Sequence, residues 1–532
     1  MSEQELKLHV PAAARAAVQQ QIQQRQATRI RLHAMYFDTP GRELARARIA
    51  IRLRQEGRDW VQTLKMPGAN AISRVEINHP RPGPVLDLSV YAGTQVEAAL
   101  TAIKGELGLR YETDVQRLFC KVRGRHGTVE LAYDTGVLRA GALELPISEL
   151  EFELVSGRPA AIFAMARGWL QRHGLVLDAR SKSERGDALA QLAHDLAAAP
   201  GEADDAARAT RDQQAVAGFW APRNAGPVKL DEAMTPMQAM AAVAAECVDH
   251  IARNAAVLAE VDTLGIYRAG TPEHVHQLRV GVRRLRSAWR LFDGWIADPS
   301  ETLAQGARTH FGAFGTARDQ DVLADTIMPL LARAGMPALP AEGAPSNDNA
   351  QALAADRAFQ AWLLELLAWS LDVPPPPAPA PTAEAAPASP TIIPLAPPAE
   401  SAPPALRKRL TGRLRRWHLK VIDEGLRFGA LELEARHELR KRVKRLRYGL
   451  SFAESLLPAT RLRTYRKQLA RVQDLLGEIN DLAVARDYYQ AALQAHPQAW
   501  FAVGWIGARL DGLTPQAQQA FDQLAHAKPF WK

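Results

Sequence analysis

Charged and apolar residues alternate along several short segments in the first third of the chain, and few folds accommodate this. In a strand, successive side chains point to opposite faces. Glu3, Glu5, Lys7 and His9 therefore share one face, and Leu6, Leu8 and Val10 share the other. Arg52 and Arg54 alternate with Ile49, Ile51 and Leu53. Arg74 and Glu76 alternate with Val75 and Ile77, and Glu149, Glu151 and Glu153 with Leu150, Phe152 and Leu154. One such charged face is an ordinary solvated surface. Several of them, carrying both signs, point to a closed sheet with a charged lumen and helices packed outside.

At 532 residues the chain exceeds one core, so two or three domains are expected. Strands are expected near 3–10, 29–38, 48–56, 59–66, 73–79, 114–124, 127–135 and 147–156. Helical patterns fall near 11–25, 95–107 and 159–173, with a short helix after Ser183. The first domain is bounded at 1–195. The Ala-, Asp- and Gly-rich stretch 196–228 reads as a linker, and 229–532 reads as helical. Thr235-Pro236-Met237-Gln238 is a helix start, with an N-cap threonine, proline at the first turn and glutamine three residues after the cap. The Pro- and Ala-rich segment 373–404 has the composition of an extended insert.

The helical half repeats itself. His276-x-x-Arg279-x-x-x-Arg283-Arg284-x-Arg286 recurs 161 residues later as His437-x-x-Arg440-x-x-x-Lys444-Arg445-x-Arg447. Gly315, Arg318, Asp319 and Val322 recur 162 residues later as Gly477, Asn480, Asp481 and Val484. His276, Arg279, Arg283, Arg286 and Arg290 stand three and four residues apart, on one helix face, with no acid from Gln277 to Phe292. Seven more bases lie between Arg407 and Lys420. Like charges along a helix face repel, so a duplicated basic face points to an anionic ligand.

Net charge is +8 with a pI near 9.5, which favours polyanionic partners without choosing among them. Cys120 and Cys247 match no disulfide or metal spacing, as expected in a reducing cytosol. The charges of the first strand exclude a signal peptide, and the most apolar stretch, around Trp362–Leu371, contains Glu365 and is too short to span a bilayer. A cytoplasmic protein with no membrane partner is expected. An aromatic content of 6%, without a Gly/aromatic RNA-binding signature or helix-turn-helix, argues against nucleic acid.

The first-domain charges suit one task. Cleaving a phosphate chain requires its charge to be neutralised and a water to be activated. Glu3, Glu5, Glu149, Glu151, Glu153 and Asp134 are candidate acids, and Lys7, Arg52, Arg54, Lys65, Arg74, Arg117 and Lys182 candidate bases. Weaker candidates have plainer readings. Asp38 and Thr39 read as turn residues, His9 as an uncommitted wall residue, His79 as a loop residue and Arg185 as a helix cap. Glu149 is either a further metal ligand or a surface acid.

Glu-x-Glu-x-Lys at 3–7, Tyr36-Phe37-Asp38-Thr39, Arg52-Leu53-Arg54, Gln62-Thr63-Leu64-Lys65, Ser73-Arg74-Val75-Glu76, Arg117, Asp134-Thr135-Gly136, the Glu149–Glu153 triplet and Ser181-Lys182-Ser183-Glu184-Arg185-Gly186 together resemble the CYTH family of triphosphate tunnel metalloenzymes. The resemblance implies an eight-stranded antiparallel tunnel that takes a triphosphate and Mg²⁺ or Mn²⁺. Glu3, Glu5, Glu151 and Glu153 would hold metal. Lys7, Asp134, Arg52 and Arg54 would be catalytic, and Lys65, Arg74, Arg117 and Lys182 would bind substrate. The duplicated His/Arg pattern resembles the CHAD family, whose members pair two four-helix bundles about a basic surface and bind inorganic polyphosphate. His276, Arg279, Arg283, Arg286, His437, Arg440, Lys444 and Arg447 are the corresponding contacts. The expected fold is therefore multidomain, α+β followed by all-α. The expected activity is hydrolysis of inorganic triphosphate to pyrophosphate and phosphate, with the protein associated with polyphosphate. Thiamine triphosphatase, class IV adenylyl cyclase and a non-catalytic polyphosphate scaffold stay open as alternatives.

Overall fold

A computed structural model describes residues 2–197, 205–259, 261, 270–337, 348–371 and 405–531. The expected insert at 373–404 lies outside the described residues. The first domain contributes strands β1 (Ser2–His9), β2 (Thr28–Asp38), β3 (Ala50–Glu56), β4 (Asp59–Pro67), β5 (Ser73–Arg81), β6 (Gly108–Gly124), β7 (Gly127–Ala140), β8 (Leu143–Gly157) and the short β9 (Val176–Leu177). Its helices are α1 (Arg15–Gln23), α2 (Glu43–Arg46), α3 (Glu97–Thr101), α4 (Ala160–His173) and α5 (Lys182–Ala197).

The strand order is β5-β4-β3-β2-β6-β7-β8-β1, and a β5–β1 pairing closes the barrel, with β9 added outside β1. β1 makes the closure by dividing its partners: Ser2–Gln4 pair with β5 and Glu5–His9 with β8, both antiparallel. The eight expected strands are all present, and alternation sets their register. Leu6, Leu8, Leu150 and Phe152 turn outward into a core with α4, while the charged positions turn into the lumen. Three local readings change. His79 sits on β5 with its ring edge-on to Tyr91, not in a loop. The helix expected over 95–107 is only α3, and the short helix after Ser183 is the 16-residue α5. β9, two residues long, has too little pattern to read from sequence.

The second half is α6 (Asp205–Phe219), α7 (Pro236–Leu258), α8 (Pro272–Phe292), α9 (Glu301–Val322), α10 (Met328–Arg333), α11 (Asp348–Ala355), α12 (Arg357–Leu371), α13 (Leu406–Gly425), α14 (Leu433–Phe452), α15 (Ala459–Ala492) and α16 (Ala499–Ala525). α7 opens with the capping box read from Thr235 and Gln238: the Gln238 amide donates to Thr235 Oγ1 at 3.2 Å, and the Thr235 amide to Gln238 Oε1 at 2.9 Å. The repeat places its two basic runs on α8 and α14, each followed by a long helix, α9 and α15.

The stretch read as a linker is not one. It contains α6, and Trp220 behind it is buried beside Tyr36 and Tyr111 of the barrel. Val228 and Leu230 enter the main core. That core is continuous across both halves: Leu8 and Leu150 of the barrel belong to one apolar cluster with Val243, Leu363 and Leu446 of the helices. Gln360 on α12 clamps the join by accepting the Leu177 amide at 2.8 Å. The Arg253 guanidinium on α7 reaches Glu184 on α5 at 3.0 Å. No helix among the described residues is long and apolar enough to cross a membrane.

Candidate active site and a second basic face

The barrel lumen is a cavity of about 380 Å³. Of the thirteen charged candidates of the first domain, twelve line it, namely Glu3, Glu5, Lys7, Arg52, Arg54, Lys65, Arg74, Arg117, Asp134, Glu151, Glu153 and Lys182, and Glu149 does not. Eleven come from strands by inward alternation. Lys182 comes from the first residue of α5, which closes over the barrel wall. At one end the cavity reaches Val248, Asp249 and Ala252 of α7 and Leu367 of α12, so the helical half forms part of its rim.

Strand register divides the charges into two groups. In the first, acids meet cations. Arg117 forms a fork with Asp134, both bonds at 2.7 Å, and reaches Glu151 at 2.5 Å. Lys182 pairs with Asp134 at 2.8 Å, with Glu151 at 2.7 Å and with Glu149. Glu149 also takes Lys7 at 3.4 Å and Arg185 at 2.5 Å. Asp134 is 0% and Glu149 2% exposed, so these acids depend on their partners. Burial alone would raise the Glu151 carboxyl, but Lys182 and Arg117 hold it at about 2. Glu149 is therefore a buried ion-pair acid, not a surface one. Arg185 is its buried partner, not a helix cap. Lys65 and Arg52 flank Glu76 in the same manner, Arg52 at 3.8 Å.

In the second group acids meet acids. Glu5 on β1 stands directly opposite Glu153 on β8, which stands opposite Glu130 on β7. Like charges directly across a sheet repel. Burial and then Glu130 and Glu5 push the Glu153 carboxyl up. Burial and then Glu76 push Glu3 up to about 7. A row of hard oxygen donors with excess negative charge fits Mg²⁺ or Mn²⁺. Oxygens of Asp134, Glu149 and Glu151 also lie within 4.8 Å of one another, but Lys182 and Arg117 already neutralise that set. Around Glu3, Glu5 and Glu153 acids outnumber cations: Arg74 lies 3.9 Å from Glu5, and Lys65 acts on both Glu3 and Glu153. Glu130 went unread in the sequence, although Glu130-x-Ala132-x-Asp134 carries the alternation that marks it.

Asp38 and Thr39 serve the turn. Asp38 accepts amides of Thr39, Leu44 and Ala45 at 2.7, 2.9 and 3.0 Å. His9 faces Glu149 in register but does not line the cavity.

In the helical half the two basic runs meet. α8 packs on α14. Burial and then Arg283 of α8 and Arg440 of its own helix lower the Lys444 ammonium to about 6, with Arg447 acting in the same direction. Asp481 on α15 lies 4.0 Å from Arg440. Arg279, Arg283 and Arg286 surround the Phe311 ring at 4.6, 5.7 and 5.7 Å. The Nε atoms of Arg283 and Arg447 are buried without a hydrogen-bond partner. Burial and then Lys441 and Arg440 lower the His437 imidazole. His276 is partly buried on the same helix as Arg279. Arg284, inside the same motif, turns the other way. It is 1% exposed and pairs with Glu246 at 3.3 Å and the Gly226 carbonyl at 3.1 Å, so it anchors the chain between the halves.

Residues 1–186 match the CYTH domain and residues 242–490 the CHAD domain. The chain is a CYTH domain followed by a CHAD domain. A curated relative, the inorganic triphosphatase of Haemophilus influenzae, is 32% identical over 158 residues, which is 28% of this chain and 44% of that protein. The chain thus spans less than half the length of that relative. Among solved structures, the CHAD domain from the plant Ricinus communis is 26% identical and covers 58% of this chain and 98% of that one, with a TM-score of 0.42. A Hippeastrum protein, described as an adenylyl cyclase with a dominant triphosphatase activity, is 18% identical and covers 35% of this chain and 94% of that one, with a TM-score of 0.27.

Proposed function

We propose that the CYTH tunnel hydrolyses inorganic triphosphate to pyrophosphate and phosphate with Mg²⁺ or Mn²⁺, and that the CHAD half binds inorganic polyphosphate on the face shared by α8 and α14. The observation that carries the first part is the divided lumen, with a row of facing carboxylates in which acids outnumber cations, beside cations held in fixed geometry. Arg52, Arg54, Lys65 and Arg74 bind and orient the phosphate chain. Arginine contributes planar, two-pronged hydrogen bonding and lysine a compact charge. Arg117 and Lys182, pinned by Asp134 and Glu151, add donors that need no reorganisation as charge develops on the cleaved phosphate. Lys7, tied to Glu149 and the Arg180 carbonyl, holds the β1 end of that network. Glu3, Glu5, Glu153 and Glu151 are the residues that would hold divalent metal, with Glu151 already shared by Arg117 and Lys182. When bound, the metal supplies charge neutralisation and an activated water.

Polyphosphate suits the second face because a flexible, highly charged chain neutralises closely spaced cations without needing a shaped pocket. The test of both parts uses the full chain with a substrate panel: triphosphate, ATP, thiamine triphosphate and long polyphosphate, each with and without Mg²⁺. Metal-dependent turnover is expected for triphosphate above all others, with long polyphosphate bound but not consumed. Preferred turnover of ATP or thiamine triphosphate would move the reading to an organic triphosphate.

A further inference from the structure

Two tyrosines in the barrel wall connect cations that sequence alone does not relate. Tyr36 on β2 stands directly opposite Arg52 on β3 and, across its other edge, opposite Tyr111 on β6. The two tyrosine rings stack with centroids 4.6 Å apart and 16° between planes. The Arg52 guanidinium donates to the Tyr36 hydroxyl at 3.3 Å. The Tyr111 hydroxyl donates to the carbonyl of Ser183, the residue after Lys182, at 3.0 Å. A Cβ at Gly186, one turn further along α5, would fall on the Tyr111 ring. Glycine there lets the helix lie against the ring, so the ring sets the height of the helix start that carries Lys182.

Phenylalanine would fill the same space in a purely structural pair. What the Tyr36 hydroxyl adds is a grip on a cation that lines the lumen. Arg52 is about nine-tenths buried, yet its Nε has no hydrogen-bond partner. A buried unsatisfied guanidinium N–H is costly unless a ligand completes it. Tyr36, Glu76 and Arg52 line the cavity together; Tyr36 and Glu76 hold the terminal nitrogens of Arg52, and its buried Nε is left without a partner.

We propose that the Tyr36–Tyr111 stack is a positioning device that sets the placement of Arg52 relative to Lys182, so that both reach one short linear phosphate chain. This rests on the reading of the tunnel as a triphosphate site. Tyr36 acts through Arg52 and is a positioning residue. Tyr111 acts through the backbone at Ser183, one bond network further from the ligand, and matters less.

The experiment measures triphosphate turnover with Mg²⁺, and triphosphate affinity by calorimetry, on the full chain and on Tyr36→Phe, Tyr111→Phe, Arg52→Lys and Tyr36→Phe/Arg52→Lys. Tyr36→Phe keeps the stack and loses one hydrogen bond to a charged group. It is expected to lower kcat/KM about 10-fold with an unchanged melting temperature, carried mostly by KM. Tyr111→Phe is expected to lose less. The double variant is expected to be no worse than Arg52→Lys alone, because Tyr36 works only through Arg52. Parent-like kinetics for Tyr36→Phe would overturn the proposal, as would a full additional loss in the Arg52→Lys background. A parent that binds triphosphate without turning it over would refute the hydrolase reading, while the affinity ratios still decide the positioning role. A parent that does neither refutes both.

Discussion

In the barrel, Arg117 is held by Asp134 and Glu151, and Lys182 shares Asp134, Glu149 and Glu151. In the helical half, Lys444 has three guanidiniums around it, Arg283, Arg440 and Arg447, and one carboxylate, Asp481, to oppose them. Both regions collect cations at closely spaced positions, but their charge balance is opposite. The barrel builds a matched network inside a closed sheet, and beside it stands the acid row Glu5, Glu153 and Glu130, where carboxylates face one another across the strands and Arg74 reaches Glu5 at 3.9 Å. The helix face is rich in cations, with no acid over sixteen residues of α8 and with Asp481 of α15 4.0 Å from Arg440 on α14. On the proposed reading, a matched lumen would bind little by charge alone and rely on geometry and metal, whereas a face rich in cations would attract a dense polyanion.

This contrast can be broken most decisively at the acid row. Glu153→Gln is expected to reduce metal-dependent triphosphate turnover on the order of 100-fold, since it removes a hard ligand from charge-stabilising machinery. It is also expected not to lower the melting temperature, because it relieves repulsion from Glu5 and Glu130. A stability loss with normal turnover would reverse the assignment. The matched group should behave the other way. Lys182→Met takes one of several counterions from buried Asp134 and Glu149, which keep Arg117 and Lys7 with Arg185 respectively, and is expected to destabilise the barrel by about 1.5–3 kcal/mol in denaturant titrations. A neutral effect would mean that the network is not what holds these acids.

On the helix face, Arg283→Ala and Lys444→Ala remove neighbouring basic side chains from different repeats. Each charge-assisted contact is worth roughly 1.5–3 kcal/mol when formed. Each variant is therefore expected to weaken long-polyphosphate binding and flatten its salt dependence, and the two effects should be non-additive. Strict additivity would place the runs on separate ligands. The smallest effect is pH-linked. An unfolded lysine keeps its proton up to about pH 10.5, whereas burial, Arg283 and Arg440 lower folded Lys444 to about 6. From about pH 6 to 10.5 the unfolded state binds more protons, so this residue's contribution makes stability rise with pH across that window. Polyphosphate should return the proton, so binding at pH 7.5 is expected to take up close to one proton per site, and Lys444→Met should abolish the uptake. Calorimetry in buffers of differing ionisation enthalpy reads this directly.

The barrel was legible because inward and outward positions alternate strictly along β1, β3, β5 and β8, and a period of two cannot be mistaken for a helix when both signs of charge repeat it. The twelve lumen residues followed from that pattern and the family resemblance together. The buried standing of Glu149 and Arg185 did not, because an acid at a strand position looks the same in sequence whether its partner comes from solvent or from a helix more than thirty residues away. The union of the two halves was hidden for the same reason. Ala, Asp and Gly between 196 and 228 have the composition of a linker, and only the packing of Trp220, Val228 and Leu230 shows that the chain is anchored there. Arg284 stands in the repeated motif but off the three- and four-residue spacing of the basic face, and the structure turns it toward Glu246 and Gly226, partners that the sequence pattern does not reveal.

The central claim is that one molecule with a continuous core carries two distinct phosphate sites. Its most direct test is to measure triphosphate turnover and long-polyphosphate affinity in parallel on Glu5→Gln and on Arg279→Ala/Arg440→Ala. The account predicts that Glu5→Gln loses turnover and keeps polyphosphate affinity, and that the double arginine variant does the reverse. Loss of both properties in either folded variant would contradict it, because a single shared site would then serve both ligands.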